Sequence, residues 1–317
     1  MIYLGTESGL YRWSQGAPWP VYHSLQDRRI RAVLAGGEGR LTVIDDGGRI
    51  LETSTNGESW TPIDLPVGVS TSTAYALGGT PLTMLLASPA MGLYYRIHGT
   101  KWWNKLAAPA LPDGNTEASI SALAITSADS PALLAAIAGE GLYRSTDGAK
   151  TWVKVDAIPS EVHTIRSVGS QIALGTAKGV WISTDNGATF SESSKGLENV
   201  PEVYCLDISP KDPKWMLAGA AAGKPVATSP AVRPQGFQFG LYETKDAGKT
   251  WAKILKKGLP ELIAFDTISD IRFDPADPEN IIMAQGSGEC WMTPNGGDYW
   301  VIISRAIESA RSLAATA

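Results

Sequence analysis

The chain of 317 residues contains only two cysteines and three histidines. Cys205 and Cys290 lie far apart, and His23, His98 and His163 show no metal-ligand spacing. This leaves no basis in the sequence for a zinc site or a disulfide framework. The thiols read as two small buried hydrophobes in a reducing compartment. The start "MIYLGTESGLYRW" lacks a charged n-region and an apolar h-region, so the cytoplasm is the expected location. No apolar run approaches the length of a membrane-spanning helix. No basic run exceeds a few residues and the formal net charge is −5, which argues against nucleic acid or an anionic membrane surface as partner. Helical periodicity is not sustained anywhere. No Ser-His-Asp order and no Gly-rich phosphate loop stands out, and no cofactor is implied.

What the chain does have is 33 glycines, 20 prolines and a hydrophobic fraction of 44%. Both breakers are spread along its length, which suits many short strands joined by many turns. The stretch "GLYRSTDGAKTW" (141–152) returns as "GVWISTDNGATF" (179–190) and "GLYETKDAGKTW" (240–251). Weaker copies are "ETSTNGESW" and "WMTPNGGDYW", and "LYRWSQGAPW" and "LYYRIHGTKW" match by position. The closing aromatics are Trp19, Trp60, Trp102, Trp152, Phe190, Trp251 and Trp300. Their spacing, about 40 to 60 residues, is that of propeller blades. Each unit also has a front half of two short apolar strands around a turn, as in "IRAVLAGGEGRLTVID". Residues 1–317 therefore read as one domain, an all-β seven-bladed propeller of four-stranded antiparallel blades. The tail "ARSLAATA" resembles the innermost strands, and Met1 begins at what should be a second strand. A C-terminal strand pairing in the first blade is expected to close the ring.

Within the repeat, the carboxylate can accept N–H groups of its own turn. A glycine supplies positive φ and the aromatic ring returns to the sheet. Asp147, Gly148 and Trp152, with Asp185, Gly187 and Phe190 and Asp246, Gly248 and Trp251, are accordingly read as structural staples. The pattern resembles the Asp-box, or BNR, repeat superfamily of β-propellers, and the resemblance covers Met1 to about Ile303. That superfamily includes sialidases, xyloglucan-cleaving glycoside hydrolases, sortilin-type receptors and photosystem II assembly factors. It therefore implies a fold more strongly than an activity.

The resemblance puts the boxes between third and fourth strands, opposite the usual active face. The turns between second and third strands would place Glu7, Asp46, Glu140 and Glu289 around the channel mouth, with Lys178 among them. The sixth unit replaces this turn with an insertion, 220–239, that brings Arg233 and Phe237 as a flap. These residues are the candidate ligand-binding set, for a protein or a small polar or carbohydrate ligand. Sialidases carry an Arg-Ile-Pro motif, to which "YRIHG" (95–99) is the nearest match, without its proline. With no assembled catalytic set, the expectation is a non-catalytic binding scaffold. The alternative is a glycoside hydrolase using carboxylates at the channel mouth.

Overall fold

The computed structural model describes residues 1–14, 17, 20–89, 92–111, 114, 118–127, 129–222, 239–254, 259, 268–286, 288–304, 310 and 312–316. These residues form seven four-stranded antiparallel sheets and no helix. The innermost strands, in blade order, are Ser312–Ala315, Ile30–Ala35, Ala74–Gly78, Ile120–Ile125, Val162–Val168, Glu202–Ile208 and Ile268–Phe273. They neighbour one another around the ring. The second strands are buried on both faces, as in Leu41–Asp45 and Ile281–Gln285, because each blade packs between two others. One cluster of buried side chains fills each of the seven seams.

The expected closure is present. Ser312–Ala315 pairs antiparallel with Ile2–Thr6 and supplies the inner strand of blade 1. Side chains tie it to both neighbours. Leu313 N donates to Asp270 of blade 7 at 2.9 Å, and Val33 N of blade 2 donates to Ser312 Oγ at 3.1 Å. Removing residues from 309 onward should therefore lower the unfolding midpoint sharply, since it exposes an unpaired edge inside the ring.

Turns between second and third strands lie on one end of the blades. Box turns, between third and fourth strands, lie on the other. The third blade corrects one expectation. In blades 2, 4, 5, 6 and 7 the closing aromatic immediately precedes the outer strand, as Trp152 precedes Val153–Lys154. In blade 3 the outer strand is Asn104–Leu106, so Trp103 holds that place and Trp102 is 80% exposed. Adjacent tryptophans made the spacing ambiguous by one. Trp19 lies outside the described residues.

Candidate functional site

The box end of the ring consumes its own polar groups. Ser145 Oγ donates to Asp147 Oδ1 (2.8 Å) and accepts from Ala149 N (2.9 Å). The Asp147 carboxylate then accepts from Lys150 N, Thr151 N and Thr151 Oγ1. Asp185 and Asp246 repeat the arrangement with Thr189 and Thr250. In the weaker boxes Thr55 and Asn295 take the aspartate's place and accept from Ser59 N and Tyr299 N. The closing indoles reach the preceding blade. Trp103, Trp152 and Trp251 donate to carbonyls of Asp64, Ala107 and Ser193, and Trp60 donates to Ser24 Oγ. The box is thus a clasp between blades as well as a turn. Its oxygens face their own turn rather than a ligand.

Blade 3 departs from this. Arg96 sits where other boxes carry the hydroxyl, seven residues before the closing aromatic. Its guanidinium is fully buried, paired with Glu52 of blade 2 and bonded to the Thr100 carbonyl. Burial lowers its pKa to about 10. An arginine so enclosed cannot receive a substrate carboxylate, which removes the sialidase-like reading of "YRIHG". A small groove of about 170 Å³ on this same end, lined by Arg144, Thr146, Thr151, Val153, Lys154 and Ala188, lies at the rim and away from the channel.

On the opposite end, Glu7, Asp46, Glu140, Lys178 and Glu289 occupy turns between second and third strands of blades 1, 2, 4, 5 and 7. Glu140 bonds Lys154 of its own outer strand at 3.2 Å, which draws it toward the rim. Lys178 and Asp46 are exposed, and Glu7 and Glu289 half-buried. Arg233 and Phe237 lie outside the described residues.

A second set of side chains at this end was not anticipated. Five inner strands carry a register shift near their start, at Arg31, Ser121, His163, Tyr204 and Ser269. Such bulges re-aim a side chain and are enriched beside functional sites. Here they form a collar at the channel mouth. Arg31 reaches the Ser72 carbonyl, Ser121 that of Val162 and Ser269 that of Ala310, each at the entry to the next blade. In blade 5 the same reach meets a carboxylate instead. His163 Nε2 lies 3.4 Å from Glu202 Oε2, and its ring stacks on Tyr204 with centroids 5.0 Å apart. The Tyr204 hydroxyl donates to Glu202 at 2.7 Å. Burial first, then the bond and charge of Glu202, then the charge of Glu161, hold the phenol protonated well above its usual range. Two carboxylates thus act on one hydroxyl at the seam of blades 5 and 6. The sequence signal was present but faint: a polar or charged residue breaks the apolar start of these strands at equivalent positions. His163 itself belongs to the inner strand of blade 5.

The boxes, the seven blades and the matched sequence agree. The family model described as sortilin, neurotensin receptor 3, matches residues 140–258, which carry the three strongest boxes. The chain is a seven-bladed β-propeller whose repeats resemble the BNR/Asp-box pattern. A curated xyloglucanase from a Paenibacillus species is 24% identical over 210 residues, 65% of this chain and 18% of that protein. The GH74 xyloglucanase structure from Xanthomonas campestris superposes with a TM-score of 0.72 at 17% identity, over 96% of this chain and 52% of that one. YCF48 bound to a D1 peptide gives 0.62 at 14% identity, over 92% and 87%. The chain spans about half the xyloglucanase structure and under a fifth of the curated relative. These matches correct the expectation of a non-catalytic scaffold: a curated xyloglucanase and a GH74 propeller favour the glycoside hydrolase alternative.

Among the described residues no cluster of three His, Cys, Asp or Glu side chains is arranged to hold a metal ion. No described helix is long and apolar enough to cross a membrane.

Proposed function

We propose that this propeller is a glycoside hydrolase-like, carbohydrate-active protein whose acid–base pair is Glu161 and Glu202. The observation that carries this reading is Glu202, held by the Tyr204 hydroxyl at 2.7 Å beside His163, with Glu161 at the entry to the neighbouring inner strand. Glycoside cleavage needs two carboxyl groups. One protonates the departing oxygen, while the other attacks the sugar or activates water. Tyr204 donates to Glu202 at 2.7 Å and fixes the orientation of its carboxyl group. The two carboxyl groups would share the acid and base roles. Glu7, Asp46, Lys178 and Glu289 share this end and would line the approach of a polyhydroxylated chain. The substrate class is a neutral β-glucan of the xyloglucan type, in keeping with the curated relative.

The test is release of reducing ends from xyloglucan and from aryl β-glucosides. Glu161→Gln and Glu202→Gln should each lower kcat by about 10²–10⁴-fold, the usual worth of a positioned acid or base. Full activity in both variants removes the pair from catalysis. No turnover by the wild-type protein on either substrate defeats the hydrolase reading.

A further inference from the structure

At and below the collar, the innermost strands bring charged side chains into the channel. Arg166 comes from blade 5, Asp207 from blade 6, Asp270 and Arg272 from blade 7 and Arg31 from blade 2. Tyr75 enters from blade 3, where the charges of Arg31 and Asp270 both act on its hydroxyl. Three cations therefore face two carboxylates, inside a protein whose net charge is −5.

Both carboxylates are tethered to the wall. Asp207 Oδ2 accepts from Phe273 N and Asp270 Oδ2 from Leu313 N, each at 2.9 Å. Asp270 Oδ1 is taken by Ile271 N at 3.0 Å and by Arg272 Nη1 at 2.7 Å. Held there, neither reaches Arg166. Its Nε lies 3.8 Å from Asp207 Oδ1 and its Nη2 3.8 Å from Asp270 Oδ1, both beyond hydrogen-bond range. The one hydrogen bond of this guanidinium among the described residues is from Nη1 to its neighbour's carbonyl, Ile165 O, at 3.1 Å. Its side chain is 30% exposed, so solvent reaches it. A planar fork whose Nε and Nη2 lack a hydrogen-bond acceptor among the described residues, backed by two more arginines, matches a carboxylate, which can accept two parallel bonds from it.

We propose that the central channel is an oxyanion site, in which Arg166, supported by Arg31 and Arg272, receives a small carboxylate. The site lies three residues beyond His163 along the same strand, about 10 Å deeper than the collar at strand rise. It is separate from the proposed acid–base pair. Asp207 and Asp270 lie within ion-pair distance of Arg166 but make no hydrogen bond to it, so an incoming anion gains the bonds that they leave unmade.

The experiment follows the unfolding midpoint while acetate, glucuronate or inorganic phosphate is titrated against sodium chloride of equal ionic strength. Wild-type protein should show a saturable rise with acetate and glucuronate beyond the chloride control. Arg166→Gln should abolish the rise. Arg166→Lys keeps the charge but loses the fork, and should need at least tenfold more ligand. A wild-type response no larger than that to chloride overturns the site, as does an undiminished response in Arg166→Gln. A response to phosphate alone overturns the assignment to carboxylates. If the Gln variant does not fold, an undiminished acetate response in the Lys variant is equally fatal.

Discussion

Between blades 6 and 7, twelve buried residues form the seam, among them Trp215, Phe273, Trp291 and Trp300. Between blades 2 and 3 the corresponding cluster has six, none aromatic. The second seam holds a buried ionic group instead: Glu52 is 4% exposed, Arg96 fully buried, and His98 sits with its Nε2 3.7 Å from Glu52. The Arg96 guanidinium also lies 5.6 Å from the centroid of the Trp103 ring. The first seam gains from every apolar atom removed from water, roughly 25 cal/mol per Å². The second spends much of its Coulombic gain on desolvation, so an intact buried pair adds little net stability while a broken one costs a great deal. The lesson is that these seams should differ less in their intact strength than in how they fail.

The largest effect expected from this difference is at Arg96. Arg96→Ala leaves Glu52 buried without its cation and should cost about 3–5 kcal/mol. The double variant Glu52→Leu with Arg96→Met should recover most of that loss, because it converts the ionic seam into an apolar one. Chemical denaturation of the three proteins gives the comparison. A double variant as unstable as the single one would mean that the pair contributes specific stability.

Standard boxes provide the intermediate case. Asp185→Ala removes bonds to Thr189 and Ser183 and should cost about 1–2 kcal/mol, as expected for one exposed hydrogen-bonded turn. Burial pushes the Asp185 carboxyl up, but its hydrogen bonds to Thr189 and Ser183 prevail and bring its pKa to about 2. Hydrogen bonds from Thr250 and Thr244 hold Asp246 at about 2 as well. Depressed carboxyl groups add stability above their unfolded value, near pH 4, and lose it as pH falls toward 2. Wild-type stability should therefore decline across that window, less steeply in Asp185→Ala. Equal slopes would show that the boxes do not contribute to acid unfolding.

The ionic seam titrates elsewhere. Burial, then Arg96 and Arg40, lower the pKa of His98. Glu52 faces it from blade 2 and opposes that shift. A histidine depressed in the fold supports stability above its unfolded value, near 6.5, and that support is lost as pH falls through the folded value. Stability should accordingly drop below about pH 6.5, and His98→Asn should flatten the drop. A histidine held instead as a cation by Glu52 would give the reverse slope, with stability rising on acidification.

The difference between these seams was only partly legible in the sequence. Three full boxes announced the blades because each short turn must meet the same backbone demands with the same residue types. The tail was legible as the closing strand because it shares the apolar rhythm of the other inner strands. Blade 3 was harder. Arg96 replaces a hydroxyl, and its partner Glu52 lies on another blade, so no local spacing links them. The mouth cluster was missed for a related reason. A bulge is a change in pairing between strands and leaves one polar residue as its trace, at His163 and Tyr204 alike. Carboxylates on turns were easier to name than carboxylates beside a bulge.

The smallest effect lies inside the standard boxes themselves. Each of the five boxes built on Asp, Asn or Thr ends its turn on a positive φ. That residue is Gly57, Gly187, Gly248 or Gly297 in four of them and Ala149 in blade 4, at φ 65°. An L-residue there costs about 1–2 kcal/mol. Replacing it by glycine returns part of this as unfolded-chain entropy, roughly 0.5–1 kcal/mol, and gives up the contacts of a buried methyl. Ala149→Gly should thus raise stability by only about 0.5 kcal/mol, visible as a small shift of the unfolding midpoint. The reverse changes are not its mirror image. At Gly187 a new Cβ would come within 3.1 Å of Ile172 Cδ1, and at Gly248 it would overlap Ile182 and Ser193. Gly248→Ala should therefore cost clearly more than Ala149→Gly gains. If the two changes prove equal and opposite, backbone strain alone governs this turn and the packing of the neighbouring blade against it plays no part.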